Sequence, residues 1–221
     1  MTKTANKTAL VLRTCAADGT SYNDFRWPLK VGSIVKAPDW KPTKECGNGL
    51  HGLLHGAGAG SLLNWSPDAK WMVLEIKLAD AIMLGGKCKF PQAKILFVGD
   101  RKAATDFMLP LVPNGSNVVG AFVTVGDGQI ATAGYSGTAT AGNSGTATAG
   151  NRGTATAGDY GTATAGDYGT ATAGNSGEIR IRWYDYAKDR YRTVGGYIGE
   201  NGLKANTKYR LNDKHEFVQA D

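Results

Sequence analysis

Between residues 137 and 174 the chain reads GTATAGNSGTATAGNRGTATAGDYGTATAGDYGTATAG: six letters return every eight residues while two change. A short fixed period restricts the fold strongly, because every repeat must take the same local shape and bury itself against its neighbours. Written as G-x-x-G-T-A-T-A, the unit is intact in GYSGTATA (134–141) and GNSGTATA (142–149). Upstream it decays through GDGQIATA (126–133) to VVGAFVTV (118–125), and downstream GNSGEIRI (174–181) keeps the register with different chemistry.

The degenerate units say which way the repeat faces. TATA alternates as a strand requires. In the last unit Glu178 and Arg180 stand at the Thr positions, and Ile179 and Ile181 at the Ala positions. In the first, Val123 and Val125 stand at the Ala positions. An unpaired charge is costly to bury, so Ala faces in and Thr faces out. Phe122 and Ile130, apolar at outward positions, are expected beneath the N-terminal domain. An interior of methyl groups allows two strands to approach closely, which predicts a narrow β-solenoid. Each octad would supply one strand and one turn, and two octads one coil of about sixteen residues. The Gly-Asn, Gly-Asp and Gly-Tyr steps are expected to provide positive φ at the corners. A Gly-rich linker is the alternative, but it has no need of strict alternation or of Val and Ile in register.

The expected architecture is an α+β domain over residues 1–117, a β-solenoid over 118–181 and a small β-hairpin cap over 182–221. In the first part, TALVLRTC (8–15), WMVLEIKLAD (71–80) and KILFVGD (94–100) read as strands, with a short strand inside 27–40. RKAATDFML (101–109) reads as a helix stopped by Pro110. LLHGAGAGSLLNW (53–65) fits a short helix or a Gly-rich loop. EIRIRWYDY (178–186) and RYRTVGGYIG (190–199) read as paired strands, followed by a hairpin around NDK.

Composition narrows the functional classes. The 221 residues carry 25 Lys and Arg against 19 Asp and Glu, a surplus of +6 that by itself permits only loose attraction to polyanions. Three cysteines without CxxC spacing, Cys15, Cys46 and Cys88, do not read as a disulfide framework or zinc knuckle and suit a reducing compartment. MTKTANKTALVLRT lacks an apolar core of the Sec type, and no apolar run approaches a bilayer span. A cytoplasmic location without membrane contact follows as the expectation, in the host cytoplasm if the chain is phage-encoded.

The GTATAGDYGTATAG run resembles the octapeptide repeat of bacterial ice-nucleation proteins, which implies stacked solenoid coils. The chain as a whole is similar to proteins of tailed phages and prophages. They share an early CGxGLHG element (here Cys46-Gly47-Asn48-Gly49-Leu50-His51-Gly52), a strand such as WMVLEI, a repeat, and an LKxNTxYRL ending; that resemblance implies no activity.

Each candidate site has a plainer explanation beside it. The outward ladder of Thr138, Thr140, Thr146, Thr148, Thr154, Thr156, Thr162, Thr164, Thr170 and Thr172 could match an ice surface, although Thr is also simply a good strand residue. Tyr135, Tyr160 and Tyr168 mark the turns as surfaces for side-by-side association. Cys46, His51 and His55 have soft-ligand chemistry at C-x4-H-x3-H spacing, but no fourth ligand is visible. Arg13, His51 and Glu75 are similar to the arrangement in ADP-ribosyltransferase-like folds, which implies dinucleotide phosphates held by the basic groups and a ribose oriented by the acid. RIRWYDYAKDRYR (180–192) interleaves basic and aromatic residues as a nucleic-acid surface does, though Asp185 and Asp189 dilute its charge and the same alternation gives a hairpin with one packing face. GDGQ and GAGAG lack the Lys-Ser/Thr step of a phosphate loop. The expected function is therefore non-catalytic, without cofactor or metal: a phage- or prophage-type accessory module that binds a protein partner or its own copies through a solenoid scaffold. A nucleotide-dependent enzyme and an ice-binding protein are the two alternatives.

Overall fold

The computed structural model describes residues 7–221; residues 1–6, the start of the segment read for a leader, lie outside them. The chain forms two compact units, Met1–Val118 and Val119–Asp221.

The first unit is built on seven strands: β1 (Thr8–Cys15), β2 (Ile34–Lys36), β3 (Leu50–Leu54), β4 (Lys70–Lys77), β5 (Ile82–Met83), β6 (Cys88–Phe90) and β7 (Gln92–Gly99). They lie in the order β2-β7-β4-β1-β3-β6-β5, with every pairing antiparallel. One face packs Val11, Met72, Leu74, Phe90 and Ile95 with Trp27. One short helix, α1 (Arg101–Met108), follows β7 and packs on β4. Asp100 caps it, its Oδ1 accepting from the Ala103 amide at 2.8 Å. In the segment 53–65, Leu53 and Leu54 end β3 and the rest is loop with one 3-10 turn at Gly60–Leu62. Glycine hid the strand: a Cβ on Gly52 would lie 2.3 Å from Val11 Cγ1 and 2.9 Å from the Leu12 carbonyl. Only glycine lets β3 approach β1 this closely, so the period-two signal is interrupted where the packing is tightest.

The second unit begins with β8 (Phe122–Thr124) and β9 (Ile130–Ala133), followed by five identical TATA strands: β10 (Thr138–Ala141), β11 (Thr146–Ala149), β12 (Thr154–Ala157), β13 (Thr162–Ala165) and β14 (Thr170–Ala173). Four strands complete it: β15 (Glu178–Asp185), β16 (Arg190–Tyr197), β17 (Tyr209–Leu211) and β18 (Phe217–Gln219). Successive octads go to opposite sheets, so two octads make one coil. One sheet runs β8-β10-β12-β14 in parallel, the other β9-β11-β13-β15, and among the five TATA strands Thr pairs with Thr and Ala with Ala. This is a β-solenoid of about four turns.

The Ala residues of β9 to β14 point inward and are at most 3% exposed, while the Thr residues are half-buried on the outside. The last coil is closed by reversal of direction. β16 pairs antiparallel with β15, and β17 antiparallel with β14. Ile198, Leu203 and Tyr209 cover the Ala column beyond Ile179 and Ile181. Antiparallel strands at the end of a parallel stack remove the template for further coils.

Two expectations are corrected. Ile130, expected to be covered, is 71% exposed. The corner glycines of the intact units do not supply positive φ. That conformation falls on the residue before the second glycine, at Ser136, Ser144, Arg152, Tyr160, Tyr168 and Ser176, with φ from 50° to 58°. It is the third position of a type II turn, closed by bonds such as Gly145 N–H to the Gly142 carbonyl at 3.1 Å. The glycines are required for space instead. A Cβ on Gly145 would meet Ala141 Cβ at 2.9 Å, and one on Gly158 would meet Asn143 Oδ1 at 2.4 Å.

Candidate functional site

The solenoid carries two outward faces, and they are not equivalent. On the β8-β10-β12-β14 sheet the rows Thr138/Thr140, Thr154/Thr156 and Thr170/Thr172 follow one another without interruption, preceded by Phe122/Thr124. The hydroxyl of Thr170 donates to that of Thr154 at 3.2 Å. On the opposite sheet only Thr146/Thr148 and Thr162/Thr164 are complete. Ile130 precedes them, and Glu178/Arg180 follow, joined in a two-pronged ion pair at 2.7 Å. Rows lie about 4.8 Å apart, and the two Thr of a row about 6.8 Å apart, from strand geometry alone. Parallel in-register pairing therefore turns a sequence period into a two-dimensional lattice of hydroxyl and methyl groups.

A second column went unnoticed in the sequence. At one edge of the coil the third-last position of each turn is Asp127, Asn143, Asp159 and Asn175. The Oδ1 of each of the first three accepts from the backbone amide one coil further on: Asn143 N–H at 2.7 Å, Asp159 N–H at 2.9 Å and Asn175 N–H at 2.6 Å. On the other edge Asn151 does the same for Asp167 at 3.2 Å. The signal was present as an Asp or Asn recurring every sixteen residues, concealed by their exchange. The turn tyrosines do not form one ladder. Tyr135 and Tyr168 lie on one edge and Tyr160 on the other; Tyr160 and Tyr168 are strongly exposed, and Arg152 stacks over Tyr168 at 5.8 Å.

In the first unit the proposed constellations separate. Arg13 pairs across the sheet with Met72, and Glu75 with Leu10. Positions three apart on a strand point to opposite faces, so Arg13 and Glu75 do not converge. Arg13 instead donates to the His51 carbonyl at 3.0 Å and lies over Trp27. Burial, with Lys87, Arg13 and Lys89 nearby, holds the His51 imidazole down to about 4 despite Asp39. Cys46 is exposed and accepts from Lys87 Nζ at 3.0 Å, which draws its thiol below the usual range, whereas burial pushes Cys88 up to about 11. Among the described residues no three His, Cys, Asp or Glu side chains gather to hold a metal ion, and Cys46, His51 and His55 are no exception. The sequence also gave no sign of Lys89. It is fully buried, donating to the carbonyls of Glu45 and Gly47 and the hydroxyl of Thr43, and so pins the 41–49 loop.

Fold and surface thus define a β-solenoid scaffold with repeats of the ice-nucleation type. Comparison with known proteins accords with that class. Ice nucleation protein of Pseudomonas syringae is 42% identical over 102 residues, 45% of this chain and 9% of the relative. InaU of Pantoea ananas is 40% identical over 45% of this chain and 10% of its own length. The protein of Xanthomonas campestris pv. translucens is 39% identical over 47% of this chain and 7% of its own. The chain thus spans at most about a tenth of the length of these relatives. Residues 9–108 match a family described as a domain of unknown function (DUF7666). No solved structure matches. The likeness to tailed-phage and prophage proteins gains no support from these comparisons. The cytoplasmic location expected from the sequence is corrected, because likeness to ice nucleation proteins conflicts with it. Among the described residues no helix is long and apolar enough to cross a membrane.

Proposed function

We propose that the chain is an ice-binding scaffold acting through the β8-β10-β12-β14 face. One observation carries this reading: Thr138/Thr140, Thr154/Thr156 and Thr170/Thr172 stand in register on three successive parallel-paired strands. Each Thr offers a hydroxyl to water and a methyl that water cannot bond, and the sheet fixes both in place. The opposite face is shorter by one Thr row and ends in the charged Glu178–Arg180 pair. The likeness of the repeat region to ice nucleation proteins supports the same function.

The test is ice recrystallisation and droplet freezing with the purified chain. Wild type should slow recrystallisation or raise the freezing temperature. Thr156→Lys, in the middle of the longer face, should abolish the effect, and Thr148→Lys on the shorter face should leave most of it. An inactive wild type would remove the proposal.

A second reading keeps the solenoid as a self-assembly module of a phage-type accessory protein. The exposed rings of Tyr160 (71%) and Tyr168 (76%) favour it. Light scattering decides: discrete oligomers that dissociate in Tyr160→Ser/Tyr168→Ser support it, and a monomer at high concentration removes it.

A further inference from the structure

The β15–β16 hairpin is longer than the coil it caps. Its strands have eight residues each, against four in the coils. The solenoid core ends at Ile181, opposite Val194. Four further pairs continue beyond it, from Arg182↔Thr193 to Asp185↔Arg190. Residues 190–193 are exposed throughout, so this part of the ribbon contributes little burial. A bare two-stranded ribbon is marginal in water. This one is braced on both faces: Trp183 stacks on His215, Asp185 binds Arg192, and Tyr184 meets Tyr191 edge-on at 5.0 Å.

Its charges are unevenly satisfied. All three ribbon carboxylates are engaged: Glu178 by Arg180, Asp185 by Arg192 and Asp189 by the Tyr184 hydroxyl. Arg182, Lys188 and Arg190 have no carboxylate within ion-pair distance among the described residues. Arg182 lies over Tyr191, its guanidinium carbon 4.4 Å from the ring centre, which anchors the side chain and leaves N–H donors for an anion. Beyond it Tyr186 at the tip is 80% exposed, its ring meeting Tyr184 edge-on at 4.9 Å and otherwise open.

From this arrangement we infer that the ribbon is a binding site for single-stranded nucleic acid. A base stacks on the open Tyr186 ring, and phosphates meet Arg182 and the cations of the tip. The charge surplus calls for a polyanion, and the open Tyr186 ring beside it for one that carries flat aromatic groups, which favours a nucleic acid over an acidic glycan. Stacking of this kind tolerates any sequence. About four residue pairs at roughly 3.3 Å each accommodate two or three nucleotides.

The experiment titrates the full chain into a fluorescein-labelled oligo(dT) twelve-mer and follows anisotropy at several salt concentrations. Saturable binding is expected, with a log–log salt slope of about −2 for three cations. Arg182→Glu should weaken binding at least about tenfold and flatten the slope. Tyr186→Ala should weaken it several-fold with the slope unchanged, since a ring carries no charge. Both positions lie outside the core, and circular dichroism melts verify folding. Absence of oligo(dT) binding overturns the inference. So does equal binding of inorganic polyphosphate or a sulfated glycan with Tyr186→Ala unaffected, which would reduce the ribbon to a patch of positive charge. Because the Thr faces are untouched, these outcomes are independent of the ice assays.

Discussion

The side-chain oxygen of Asn143 accepts a hydrogen bond from the backbone amide of Asp159, sixteen residues later, at 2.9 Å. That bond secures a turn amide to the coil below, and the column Asp127, Asn143, Asp159 and Asn175 repeats it. Asn143→Ala removes one acceptor at an exposed edge where water replaces part of it. A loss of about 1 kcal/mol is expected in urea unfolding. Asn143→Asp keeps the acceptor but places three carboxylates on successive rungs. Its destabilisation should shrink as salt rises, whereas that of Asn143→Ala should not.

The interior sets the sharpest limit on substitution. Ala155 is fully buried between two facing strands, and the lattice leaves no room for a longer side chain. Ala155→Leu should cost about 3 kcal/mol or abolish folding of the second unit. Thr156→Val, one position along and facing outward, should change stability by less than about 0.5 kcal/mol. The contrast, read by denaturation of the two variants, tests the inward–outward assignment directly. Equal effects would refute it.

Tyr160 occupies a left-handed corner at φ 57° while 71% exposed. A side chain there works against backbone sterics that Asn or Gly relieves. Tyr160→Asn should therefore stabilise the chain by about 0.5 kcal/mol. Tyr168→Asn should gain less, because it forfeits the stacked Arg152. Thermal melts of the two variants supply the comparison.

Much of the solenoid was legible because its rule is written in departures from the repeat. Ile179 and Ile181 replace Ala where the core widens toward the cap, while Glu178 and Arg180 replace Thr where the surface is free. Alternation carries that information without any knowledge of tertiary structure. The turn column was harder to see, since Asp and Asn share an acceptor oxygen but not a letter. The first unit was less legible still. β3 carries Gly52 where β1 approaches most closely, so its strand pattern is broken by the packing it enables. Buried Lys89 satisfies its charge with carbonyls of a loop forty residues earlier, a partnership that no local pattern encodes. The Arg13–His51–Glu75 grouping failed for a simpler reason. Residue types carry no register, and register places Arg13 and Glu75 on opposite faces.

His51 provides a pH test of the first unit. Its imidazole is held to about 4, against about 6.5 in an unfolded chain. Burial is the main cause, and the positive charges of Lys87, Arg13 and Lys89 act in the same direction. Between those two values the unfolded chain takes up a proton that the folded chain refuses. Stability from this group is therefore complete above about pH 6.5 and falls as pH drops toward 4, below which both states are protonated and the slope ends. Partial exposure of the residue reduces the size of the effect but not its sign. The melting temperature should decline between about pH 7 and pH 4.5 in wild type. His51→Gln, which keeps a polar side chain that does not titrate, should lose this part of the decline and retain only the carboxylate slope at the acid end. Identical profiles for the two proteins would show that His51 takes up its proton as readily in the folded chain as in the unfolded one.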